Sequence, residues 1–210
     1  MAKIDDYREA VKRAVTDLRE RKPADIAQAS GADFKNDTDG SPVMTLRFLN
    51  RDIVIRCSDF GCMYQDSGED VSIQQQILIL HYLKGAKGNN VTEKWIAYQE
   101  IPEGMFYLDA FLRRAKTPMV QAFGSRPERL SELAKNLYAA EPFEHGDVSI
   151  VVQAFPYVPV VLILWKGDDE FPPEGNLLFD KSIAEIFSAE DIAWLAGMII
   201  YPLIGMLNQG

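Results

Sequence analysis

Cysteine is scarce in this chain: Cys57 and Cys62 are the only two in 210 residues. Two thiols five positions apart cannot supply the disulfide framework of a small secreted domain, a four-cysteine zinc or iron-sulfur site, or the CxxC pair of thioredoxin-like chemistry. The expectation is two unlinked thiols in a reducing compartment. Histidine is equally rare, with only His81 and His145. No serine sits in a G-x-S-x-G elbow and no cysteine is framed by a base, so nothing in the sequence supports hydrolase chemistry. The glycine motifs that cradle phosphates are missing too, which argues against nucleotide use. Positive charge is in deficit, 22 Lys and Arg against 31 Asp and Glu. The resulting net charge of −9 repels polyanions, and nucleic acid is not an expected partner. There is no internal repeat, no low-complexity tract and no linker long enough to part domains, so one domain over residues 1–210 is expected.

What is present is an ordinary globular composition, 47% apolar and 25% charged, which predicts a chain that folds in water. The first residues, Met1 to Tyr7, meet charge at once and have no apolar core region, so no signal peptide is read there and a cytoplasmic location is expected. One segment challenges that reading. Ile192 to Leu207 is free of charge, yet it is shorter than the roughly 20 residues that span a bilayer and is interrupted by Gly197, Pro202 and Gly205. Ser188 and Asp191 just before it form a capping-box pattern. A helix buried in the core is expected, without membrane contact; a homodimer seam on the same helix is the open alternative.

Along the chain, Tyr7, Val11, Val15 and Leu18 recur at helical spacing within Asp5–Arg21, and Ala24–Ala29 predicts a second short helix; together they make residues 1–30 an N-terminal helical segment. Lys35–Pro42 reads as a loop. Val43–Leu49 and Asp52–Cys57 read as a hairpin turning at Asn50-Arg51, with Met44, Leu46 and Phe48 on the buried face. Asp70 is placed to cap a helix over Val71–Leu83, and Lys94–Ile101 reads as a strand. Tyr107, Ala110 and Phe111, then Leu130, Leu133, Ala134 and Leu137 after Pro127, carry helical periodicity. Asp147–Phe155 and Val158–Trp165 are the strongest strands, and the unbroken apolar run Val160–Leu164 predicts a strand covered on both faces. Asp180 is placed to cap a short helix containing Ile183, Ile186 and Phe187. The mixture favours an α+β domain of mainly antiparallel hairpins packed with helices and closed by a buried C-terminal helix.

The segment with most chemistry is Trp165-Lys166-Gly167-Asp168-Asp169-Glu170-Phe171-Pro172-Pro173-Glu174. Three consecutive acids repel one another and need solvent, a cation or a basic partner. A solvated turn is the plain reading, and a binding rim at the end of a buried strand is the functional one. Asp168, Glu170 and Glu174 could offer oxygens to a hard cation, though their spacing matches no EF-hand and no metal site is assigned. His81 reads as a hydrogen-bonded core residue, with an axial metal ligand as the sharper alternative. Arg113, Arg114 and Lys116 form the densest basic cluster and read as a solvated helix face.

Ile77-Leu78-Ile79-Leu80-His81-Tyr82-Leu83, Ala154-Phe155-Pro156 with Pro159, Trp165 to Pro172, and Leu178-Phe179-Asp180 resemble an uncharacterised family, the domain of unknown function numbered 3786. The likeness covers most of residues 31–210. It implies a protein of anaerobic bacteria and archaea, in a setting of one-carbon or corrinoid metabolism, and it assigns no catalytic residue or cofactor. The leading expectation is a cytoplasmic binding or accessory protein that holds a small molecule or partner protein. Its candidate residues are Trp165, Asp168, Asp169, Glu170, Phe171 and Asp180, with His81. Two alternatives stand beside it: an enzyme using the loop carboxylates as general acid or base, and a structural dimerisation module.

Overall fold

The computed structural model describes residues 2–209; Met1 and Gly210, the ends of the expected 1–210 domain, lie outside the described residues. The chain is α+β, with two antiparallel sheets and helices packed on them, as the sequence predicts. It divides into two compact units, residues 1–90 with 155–157, and residues 91–154 with 158–210.

The first unit opens with α1 (Ala2–Arg19) and α2 (Pro23–Ser30). Ala14 and Leu18 are buried on one side of α1 while its charged residues face water, the amphipathic pattern read from the sequence. Pro23 sits in the first turn of α2, where its missing N–H costs nothing. Gly31 ends that helix in the left-handed region (φ 69°), and an added Cβ would lie 2.9 Å from the Tyr157 hydroxyl, so only glycine fits.

A four-stranded meander follows in the order β1-β2-β3-β4: β1 (Asp33–Asn36), β2 (Pro42–Phe48), β3 (Arg51–Arg56) and β4 (Cys62–Tyr64). β1 and β4 were not expected. β1 is a short edge strand whose residues are all exposed, so it carries no hydrophobic alternation to read. The β2–β3 turn is Leu49-Asn50, one residue earlier than expected, because Phe48 pairs with Arg51 and both turn residues adopt positive φ (46° and 62°). Met44, Leu46 and Phe48 are buried, as alternation required.

Helix α3 (Ile73–Gly85) starts later than the expected Val71. Ser72, not Asp70, is its cap: Ser72 Oγ accepts the Gln75 N–H while the Gln75 side chain returns to the Ser72 N–H, and Asp70 instead bridges to Met63. Its second half is the centre of the unit, with Leu78, Ile79, Leu80, Tyr82 and Leu83 buried. The Phe155 ring stacks on Phe48 at 4.6 Å and on Tyr82 at 4.3 Å, and the Tyr82 hydroxyl donates to the Ser30 carbonyl at 2.8 Å.

The second unit has a five-stranded sheet in the order β5-β9-β8-β7-β6. β5 (Trp95–Ala97) is shorter than the expected Lys94–Ile101, because the chain curls at Tyr98 into a 3-10 turn. β6 is the two-residue Glu141–Pro142, and β7 (Val148–Phe155) and β8 (Val158–Trp165) are joined by Pro156-Tyr157. β8 is buried from Val158 to Leu164, as its unbroken apolar run predicts. β9 (Glu174–Asp180) pairs antiparallel with both β8 and β5, and it was not expected from the sequence.

The helices of this unit are α4 (Gly104–Phe111), a π-helical stretch (Leu112–Lys116), α5 (Thr117–Phe123), α6 (Pro127–Tyr138), α7 (Ile183–Ile186) and α8 (Ala189–Leu207). α8 is opened by the expected Ser188–Asp191 capping box. By length and composition it could cross a membrane. Here Ile192, Leu195, Ile199, Ile200 and Leu203 are buried within the unit. Pro202 brings no N–H to the helix, and the Tyr138 hydroxyl of α6 reaches this turn, donating to the Ile199 carbonyl at 2.9 Å.

Candidate functional site

The acidic segment is the connection between β8 and β9. β8 stops at Trp165 because Lys166 and Gly167 end the apolar run, and Trp165 still pairs across the ladder with Glu174. Between them the chain makes a tight turn. One carboxylate oxygen of Asp168 accepts from the N–H groups of both Glu170 and Phe171 at 2.8 Å, and the Asp168 N–H donates to the Phe171 carbonyl at 2.9 Å. Those backbone donors hold the Asp168 carboxyl below the usual carboxylate range, which makes it a fixed anion and not a proton donor near neutrality. Asp169 and Glu170 are exposed, and Phe171 is 67% exposed beside them.

The loop is fastened at its stem. The Lys166 N–H donates to Asp147 Oδ2 at 2.8 Å, and the Asp147 N–H returns to the Leu164 carbonyl at 3.1 Å. The Trp165 ring meets His145 edge-on at 5.9 Å. Gly146, with φ 65°, lies where a Cβ would come within 2.8 Å of Ile163 Cγ2, so the turn before β7 packs flush on β8. On the other side Lys116 pairs with Glu174 at 3.6 Å.

Asp147 also lines an open groove of about 490 Å³ between the start of α6 and the turn into β7. Glu128, Ser131 and Glu132 come from α6, where their spacing of three to four residues sets them on one helix face. Phe143, Val148 and Ser149 complete it. Ser149 is buried and structural: its hydroxyl donates to the Phe143 carbonyl and accepts the His145 N–H at 3.0 Å. Asp147 thus lines the groove and anchors the stem of the loop, while Glu132 in the groove is paired with Arg129 at 2.6 Å. None of the groove's carboxylates was picked out from the sequence. Their only signal was the spacing of Glu128 and Glu132, which also fits any solvated helix.

The remaining candidates lie elsewhere. Asp180 is 1% exposed at the end of β9, and its carboxylate is occupied by the fold. It accepts from the Thr92 N–H and hydroxyl (3.1 and 3.0 Å) and from the Ser182 N–H and hydroxyl (2.9 and 2.6 Å). Burial pushes its pKa up, but the bonds from Ser182 and Thr92 outweigh burial and leave it below the ordinary value. It does not cap the short helix as expected. Ser182 precedes α7, and Asp180 ties the Thr92 segment to the end of β9.

His81 belongs to the first unit. It is half-buried on α3 and lines a groove of about 410 Å³ with Asp6, Glu9, Ala10, Arg13 and Lys84. Cys57 and Cys62 are free thiols, as expected. Cys62 begins β4 opposite Ile55, and burial pushes its thiol up to about 12. Burial raises the Cys57 thiol as well. Among the described residues, no three His, Cys, Asp or Glu side chains converge as a metal site. Of the three expected oxygen donors, Asp168 is engaged by its own turn and Glu174 by Lys116, and Glu170 is exposed.

Residues 22–201 match a protein family described as a domain of unknown function (DUF3786). No curated protein and no solved structure matches the chain.

Proposed function

The chain belongs to the DUF3786 family, whose description assigns no activity, and we propose from its geometry that it is a binding or accessory protein that engages a cationic small molecule or a basic partner protein through the acidic surface of its second unit. The observation that carries this is the Lys166–Asp147 hydrogen bond, which ties the stem of the loop bearing the exposed Asp169 and Glu170 to a residue lining the groove of Glu128, Phe143 and Glu132, the last paired with Arg129 at 2.6 Å. Carboxylates around an aromatic ring suit a cation, which gains from both charge and ring face. The protein works in the cytoplasm, in a setting of anaerobic one-carbon or corrinoid metabolism, without membrane or nucleic-acid contact.

Isothermal titration tests this with a lysine-rich peptide, magnesium, calcium and cobalamin as separate probes. The peptide is expected to bind, and Glu128→Gln with Glu132→Gln to weaken it about tenfold, the loss of roughly 1.4 kcal/mol. Asp169→Asn with Glu170→Gln probes the loop while leaving the Asp168 turn intact. Affinity unchanged from that of the unsubstituted protein in both variants, or no binding by any probe, overturns the assignment.

A further inference from the structure

We draw no further inference here: the strongest candidate, the exposed apolar patch of Met105 and Phe106 on the first turn of α4, carries nothing because nothing in the structure shows what covers it.

Discussion

Asp180 is where a single side chain matters most. Removing its carboxylate strands the donors of the buried Ser182 and releases the exposed Thr92, so Asp180→Ala is expected to cost roughly 2 kcal/mol in chemical denaturation at neutral pH. Its folded-state pKa lies below the ordinary 3.8, so this stability is fully present above about pH 4 and is lost as pH falls through the folded value. The gap between wild type and Asp180→Ala should therefore narrow on acidification, and a gap unchanged down to pH 2 would count against the assigned role. The thiols give a second test. Both are raised by burial, and Cys62 is 3% exposed, so a thiol-specific chromogenic reagent at pH 8 should label Cys57 slowly and Cys62 only after denaturant is added. The sequence could place Asp180 before a helix, because an acid there fits a cap. It could not show Thr92, 88 positions away, arriving on the same carboxylate.

Elements with strong local signals were legible. The capping box of α8, the apolar second half of α3 and the unbroken run of β8 each state their structure within a few residues. β9 was missed because its leading residues, Glu174 and Gly175, follow an acidic, proline-rich turn and read as its continuation. What makes it a strand is a partner on each side, β8 and β5, and such pairing is non-local. The caps give measurable predictions. Ser188→Ala removes the acceptor for the Asp191 N–H and should cost about 1 kcal/mol by thermal or denaturant unfolding. Tyr138→Phe loses the hydroxyl that serves α8 beside Pro202, and should cost about 1 kcal/mol with no change in helix content by circular dichroism. A cost near zero would mean that the Ile199 carbonyl gains nothing from the Tyr138 hydroxyl.

For the whole molecule, the net charge of −9 sets the long-range field and the acidic groove concentrates it. Binding of a lysine-rich peptide is therefore expected to weaken steeply on raising salt to about 1 M, where the screening length falls to roughly 3 Å. Affinity insensitive to salt would point to apolar recognition instead. The dimer alternative rested on α8, where Ile192, Leu195, Ile199, Ile200 and Leu203 are buried, the remaining large apolar side chains are half-buried, and Tyr201 is the one strongly exposed example among the described residues. A charge placed there, Tyr201→Asp, is expected to leave the mass measured by light scattering unchanged. Dissociation of a wild-type dimer by that substitution would establish the seam.

Composition and local pattern alone were enough to determine an α+β chain, the faces that would be buried and the position of the acidic turn, because burial and capping act over a few neighbouring residues. Only the folded arrangement could decide how each carboxylate is used. It turned Asp180 inward onto Thr92 and Ser182, paired Glu132 with Arg129, and brought Glu128 and Glu132 beside Asp147. The meeting of Asp180 with Thr92, and of Glu128 with Asp147, depends on strand and helix contacts between residues far apart in the chain, and spacing along a single sequence carries no record of them.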